Sequence, residues 1–239
     1  MPEPDHWFEP LADHLGAAYL RYSFTKGTEQ EVDFLVEALG LEPGMRVLDV
    51  GCGPGRHARA LARRDIPCHG IDVSHRFVEL AAAGAPAGAT FERLDARRLA
   101  FDGSFDAAVS LCQGAFGLLS SDEDTLAVLG GMARAVRPGG RVAVSAFSAY
   151  HSVRYQTDAD FDAATAVVHE HTELRDEAGR STPAELWTTC FTPRELRLLA
   201  GVAGLEVDAV WSVAPGAYAA TPPSVDTAEF LLLARRPVG

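Results

Sequence analysis

Apolar positions along the chain follow two periods, and the two alternate. Val32, Leu35, Val36 and Leu39 recur at helical spacing, which predicts a helix over 28–40 starting near Thr28 and stopping at Gly40. Over 5–24, Trp7, Phe8, Leu11, Leu15, Tyr19 and Tyr22 are mostly three, four or seven residues apart, so this segment is predicted to be helical with one apolar stripe. From Met45 onward short strand-like runs appear, over 45–50, 67–73, 89–94, 105–111 and 140–147. Helical patterns over 57–64, 76–83 and 125–136 separate them, the last with Asp122 or Asp124 at its start. Short apolar strands alternating with helices predict βαβ units around a parallel sheet, with right-handed crossovers.

The pattern changes after Phe147. Residues 148–163 are polar and irregular, and 165–175 and 181–191 read as two strands around the turn sequence DEAGR. Thr192, Pro193 and Glu195 then form the signature of a capped helix start. Two last strands, 205–213 and 228–236, flank a loop containing Pro215, Pro222 and Pro223.

Charge narrows the choice of partner. The 239 residues carry 21 Lys and Arg against 33 Asp and Glu, a net charge of −12. Phosphate neutralisation drives binding to nucleic acid, so this balance argues against a DNA or RNA partner, and equally against an anionic membrane surface. Cys52, Cys68, Cys112 and Cys190 are far apart and fit neither a disulfide framework nor a zinc site. The opening residues lack a basic-then-apolar pattern, and no run approaches the length of a membrane span, so a reduced, soluble, cytoplasmic protein is expected.

The most informative stretch is Val47-Leu48-Asp49-Val50-Gly51-Cys52-Gly53-Pro54-Gly55. A buried strand runs into three alternate glycines and a helix follows at once. Such a loop turns sharply and offers bare main chain to a ligand. Asp72 ends the second strand, and neighbouring strand tips of an α/β sheet meet at the binding crevice. A carboxylate there suits a ribose diol; its ordinary alternative, capping the next helix, is already open to Ser74. A dinucleotide site would want glycine where Arg56 stands, and Asp49 would sit badly beside a diphosphate. Asp49 suits a ligand carrying an ammonium or sulfonium, so the loop points to S-adenosylmethionine.

With these motifs the sequence resembles the class I S-adenosylmethionine-dependent methyltransferases, over about residues 45–147 and the last two strands. VLDVGCGPG matches the family's first motif, GIDVS carries its ribose-binding acid at Asp72, and RLDAR its adenine-contacting acid at Asp95. FDAAVSLCQGAFGLL and ARAVRPGGRVAVSAF resemble the regions around strands four and five. The resemblance implies a Rossmann-like, seven-stranded, doubly wound α/β sheet with an antiparallel last strand. It also implies roles: Gly51, Cys52 (through its backbone) and Gly53 around the methionine portion, Asp72 on the ribose, Val73, Asp95 and Ala96 around the adenine, and Leu111 to Gln113 beneath the methyl group. Where many relatives place Asp or Asn after strand four, this chain has Cys112-Gln113-Gly114, which weighs against amine methylation of the DNA or protein-glutamine kind.

Methyl transfer from a sulfonium needs alignment and exclusion of water more than a catalytic group, so no catalytic residue is assigned. His151, His169 and His171 are candidate bases, each with an ordinary structural role open to it. His169 and His171 share one face of a strand with Glu170 on the other, and no third ligand accompanies them at a recognisable spacing, so no metal is expected. The chain is read as one domain. Residues 1–40 form a helical lid in which Tyr22 approaches the cofactor, swinging on Thr25-Lys26-Gly27. Residues 41–147 form the cofactor core, 148–191 a substrate-side hairpin insert, and 192–239 the last helix and strands. Tyr150, Tyr155, Phe161 and Trp187 give the insert the makings of an aromatic-lined pocket for a small-molecule acceptor. Two other readings stand beside methyl transfer: a cofactor-binding protein without that activity, and a nicotinamide-dependent oxidoreductase.

Overall fold

Five strands lie parallel in the order β3-β2-β1-β4-β5: β1 (Val47–Val50), β2 (Cys68–Asp72), β3 (Ala89–Arg93), β4 (Phe105–Ser110) and β5 (Val136–Ser148). In this computed structural model, which describes residues 6–112, 114–119 and 121–238, two more strands extend the sheet past β5. β10 (Glu229–Arg235) pairs antiparallel with β5, and β9 (Glu206–Val213) pairs antiparallel with β10. Among the described residues β10 is therefore the strand that runs against the others in this layer, as the resemblance implies.

Helices cover both faces of the sheet, which is why β1 is apolar at Val47, Leu48 and Val50. Leu48 and Val50 pack with Val128, Met132 and Leu196, from α5 (Asp122–Ala135) and α7 (Pro193–Val202). Val47 faces the other way, onto Val32, Leu35, Ala58 and Leu61, from α2 (Thr28–Leu39) and α3 (Arg56–Ala62). α4 (His75–Ala82) follows β2, and the Ser74 hydroxyl caps it by accepting from the Phe77 N–H. Thr192 and Glu195 form the expected capping box at the start of α7.

Several segments differ from expectation. The single helix over 5–24 is instead α1 (Glu9–Leu15), stopped at Gly16, followed by two 3₁₀ turns, Gly16–Arg21 and Ser23–Thr25; residue 5 lies outside the described residues. Thr28 is the first helical residue of α2 rather than its cap, whereas α5 starts at Asp122 as expected, with Ser121 capping it. Residues 148–163 are not irregular throughout. Ser148 caps a short helix, α6 (Ala149–Tyr155), and β6 (Asp160–Asp162) follows it. β6 joins β7 (Val167–Arg175) and β8 (Ser181–Phe191), so the insert is a three-stranded antiparallel sheet rather than a hairpin. The end of β8 pairs with the tip of β5 through Cys190 and Phe191, which hangs this small sheet over the carboxyl ends of the central strands.

Candidate cofactor and acceptor site

The loop after β1 is held from the side by β2. One oxygen of Asp72 accepts from the Gly53 N–H at 2.8 Å and the other from the Ser74 N–H at 2.9 Å. Burial lifts this carboxyl to about 6, against the pull of those two N–H donors. Two glycines of the loop serve different ends. A side chain on Gly51 would collide with the backbone of Gly114 and Ala115, so glycine there lets two loops cross. Gly53 has φ +53°, and a Cβ on it would find nothing nearer than Tyr19 at 3.9 Å, so its bare face belongs to the cavity.

Behind the loop lies a buried polar layer. Asp49 is fully buried, takes a backbone hydrogen bond from Ala58, and leaves Oδ2 without a partner. Burial raises its carboxyl to about 7, with Asp72 adding to the shift and Arg56 opposing it. Arg56, in the position a dinucleotide fold gives to glycine, opens α3. It binds the buried Glu31 at 2.6 Å, Thr28 Oγ1 at 2.8 Å and Cys112 Sγ at 2.6 Å. His57 Nε2 meets the same Glu31 at 2.7 Å. Burial disfavours the Glu31 charge, but its His57 and Arg56 partners prevail and hold the pKa low. The group ties α2, α3 and the loop after β4 into one block.

In front of the loop is a cavity of about 290 Å³. Its floor is the strand-tip face: Gly51, Gly53, Asp72, Val73, Asp95, Ala96 and Cys112. One wall is the N-terminal arm, which contributes Trp7, Phe8, Leu11, Leu15, Tyr19 and Tyr22. The arm is fastened at several points. The Trp7 indole N–H donates to the Leu118 carbonyl, Glu9 pairs with Arg93 at 2.6 Å, and the Ala17 N–H donates to Glu177 at 2.8 Å. The opposite wall is one face of the insert sheet, with Val168, Glu170 and Leu174 from β7 and Leu186 and Thr188 from β8. The alternation of β-strand side chains selects this set and turns their neighbours outward.

Several expected residues are thus brought together and others are not. Tyr22, Gly51, Gly53, Asp72, Val73, Asp95 and Ala96 all line the cavity. Asp49, Cys52 and Leu111 are not among its lining residues. The Cys52 thiol points to the Gly53 carbonyl, and Leu111 packs in the core; Gln113 lies outside the described residues. Asp95 also holds Arg97 through paired hydrogen bonds. The histidine candidates fall elsewhere. His169 and His171 lie on the outer face of β7, where His169 stacks on Trp187 at 4.9 Å, and His151 packs on Tyr155. Contrary to expectation a third donor does join His169 and His171: Glu185 on β8, directly across from His171.

The aromatic lining also comes from an unexpected source. Tyr150, Tyr155, Phe161 and Trp187 stay out of this cavity, and the N-terminal arm supplies the rings instead. Nor is Thr25-Lys26-Gly27 a loose hinge. The Thr25 hydroxyl donates to the Leu20 and Tyr22 carbonyls, and the backbone of Gly27 presses directly on that of Gly216. Glu170, Thr188 and Phe147 were missed as cavity residues; the strict alternation through Val168, Glu170 and Leu174 was the available signal for the first.

Residues 47–140 match the methyltransferase domain family. The chain is 29% identical to the cypemycin N-terminal methyltransferase of a Streptomyces species, over 81% of this chain and 84% of that protein. Its matches to several other curated methyltransferases span about half of those proteins' lengths. Among solved structures it resembles the CcbJ methyltransferase of Streptomyces caelestis, with a TM-score of 0.74 and 19% identity over 88% of this chain and 96% of that one. It also resembles the S-adenosylmethionine-bound CalS10, an amino pentose methyltransferase of Micromonospora echinaspora, with a TM-score of 0.60 and 22% identity over 92% and 95% of the two chains. Residues 47–140 thus carry a methyltransferase domain of the class I S-adenosylmethionine-dependent kind, with S-adenosylmethionine as its cofactor. The residues present fit that cofactor: a bare glycine face and a buried, unpartnered Asp49 oxygen await a cationic ligand. Among the described residues no helix is long and apolar enough to cross a membrane.

Proposed function

We propose that this chain methylates a small-molecule acceptor held between the N-terminal arm and the insert sheet. The observation that carries this reading is the cavity itself: its floor is the glycine loop and the tips of β2 and β3, while both walls come from segments added to the core. Relatives whose names specify cypemycin, 27-O-demethylrifamycin SV and an amino pentose as acceptors support an acceptor of natural-product type. The cofactor supplies an electrophilic methyl group on a sulfonium.

In this reading Gly51, the Cys52 backbone and Gly53 border the methionine portion, and Asp72 accepts from the ribose hydroxyls. Val73, Asp95 and Ala96 surround the adenine. Tyr22 closes the site from the arm, and Leu111 and Cys112, after β4, run beneath the methyl position. Asp49 places negative charge behind the loop. The apolar walls exclude water and align the acceptor, the main demand of an in-line displacement. The chain acts as one domain: a cofactor core over 41–147, acceptor walls from 1–40 and 148–191, and 192–239 completing the sheet. Four unpaired cysteines suit a reducing, cytoplasmic setting.

The deciding experiment follows transfer of a labelled methyl group from S-adenosylmethionine to a panel of small hydroxyl and amine acceptors, with Asp72→Ala as control. Transfer that disappears in the control supports the reading. Tight cofactor binding with no transfer across a broad panel would favour a binding protein instead.

A further inference from the structure

The cavity has a charge pattern that bears on the acceptor. Its lining holds the carboxylates of Asp72, Asp95 and Glu170 and, among the described residues, no lysine or arginine. Two of the three are already engaged: Asp72 with the Gly53 and Ser74 N–H groups, Asp95 with Arg97. Glu170 has no hydrogen bond or ion pair among the described residues. It is half-buried on the inner face of β7, with Val168 beside it on that face and Leu186 directly across on β8.

Among the described residues this carboxylate has no partner, and it stands on the cavity face between aliphatic side chains, where a ligand can reach it. Its two strand neighbours, His169 and His171, face outward and share Glu185, and His6, which also lines the cavity, has Asp95 and Glu9 rather than Glu170 as its acidic neighbours. A cationic ligand in the cavity would supply the counter-charge. Resting on the small-molecule methyltransferase reading, we propose that the acceptor molecule carries a protonated amine on an apolar body, with Glu170 as the counterion that binds this ammonium as a recognition group, apart from the atom that receives the methyl group. The aliphatic and aromatic walls take the apolar body, and anionic acceptors are repelled by Glu170. Glu170 is thus a specificity-determining residue of the acceptor site.

The test measures binding, not turnover. With S-adenosylhomocysteine present, calorimetry compares octylamine, octanol and octanoate, which share one chain and differ in charge. Octylamine is expected to bind at least about tenfold more tightly than octanol, roughly 1.4 kcal/mol, and octanoate more weakly than both. In Glu170→Gln the octylamine advantage over octanol should vanish while octanol affinity stays the same. Equal affinities for amine and alcohol, failure of the amine to bind, or an amine preference that survives in Glu170→Gln would each overturn the proposal. Binding of S-adenosylhomocysteine on its own separates the two levels. If it binds and the amine preference is absent, only the amine proposal falls; if it does not bind, the methyltransferase reading falls as well.

Discussion

The Asp72 carboxylate, at the tip of β2, accepts from the Gly53 N–H at 2.8 Å and so fixes the glycine loop of the neighbouring strand. One side chain therefore holds the loop and faces the position of the ribose. Asp72→Ala is expected to weaken S-adenosylmethionine binding by on the order of 2 kcal/mol, through loss of a charged acceptor. It should also lower the melting temperature of the free protein, because Gly53 and Ser74 lose their partner. Titration calorimetry and thermal unfolding of the same variant check both; full affinity would remove Asp72 from the site.

Substitution at the loop glycines should separate packing from binding. Gly53→Val keeps room within the protein, since Tyr19 is 3.9 Å from the new Cβ, but fills the cavity face. At a strain cost of about 1–3 kcal/mol the variant should remain folded, with native circular dichroism, and bind no cofactor. Gly51→Ala collides with the backbone of Gly114 and Ala115 and should chiefly destabilise the fold. Normal cofactor binding by Gly53→Val would reduce the loop to a turn.

Asp49 predicts a pH dependence. Burial raises Asp49 to about 7 and Asp72 to about 6. A carboxyl raised on folding binds its proton more tightly in the native state. Its contribution to stability is full below the unfolded value, about 4, and is lost as pH climbs through the folded value. The free protein should accordingly lose stability from these groups between about pH 4 and 7. A cationic cofactor favours the ionised form, so its affinity should rise over the same window, by about tenfold between about pH 5.5 and 7.5. Asp49→Asn should flatten both trends, leaving the smaller part owed to Asp72. Calorimetry in buffers of different ionisation enthalpy would show proton release on binding by the native protein; its absence counts against Asp49.

Trp7 fastens the arm. Its indole donates to the Leu118 carbonyl and its ring meets Trp187 edge-on at 5.3 Å. Trp7→Ala should cost about 2 kcal/mol of stability, combining one hydrogen bond with an aromatic contact. Faster tryptic cleavage at the exposed Arg21, read by mass spectrometry, is the local signature; an unchanged cleavage rate would show that the arm is held without it.

Much of this was legible in the chain. The glycine loop, Asp72 and the alternation of strand and helix follow from local patterns, because a βα turn and its neighbouring strand tip are set by short-range chemistry; Asp95 came from the family resemblance alone. The source of the walls was not. Trp7 and Trp187 are both aromatic residues in amphipathic segments, yet one lines the cavity and its partner faces outward, which depends on how β7 and β8 hang from β5. Glu185 likewise joins His169 and His171 only through cross-strand register, which spacing along one strand does not reveal. The buried Arg56 group was hidden for a similar reason: its members come from α2, α3 and the loop after β4.

The way the arm is fastened also orders events in time. His14 contacts the Leu174 carbonyl and Ala17 contacts Glu177, each across 160 residues of chain, and Gln30 meets Tyr218 across 188. During synthesis the arm emerges long before the insert sheet and must wait for it before it can dock. The parallel core has no such delay on its early strands, whose partners follow within a few tens of residues. Closure entropy grows only slowly with length, so the wait costs little free energy, but long-range contacts form late. The cavity therefore assembles only after the insert sheet has been made, and until then the rings of the arm are exposed on the nascent chain.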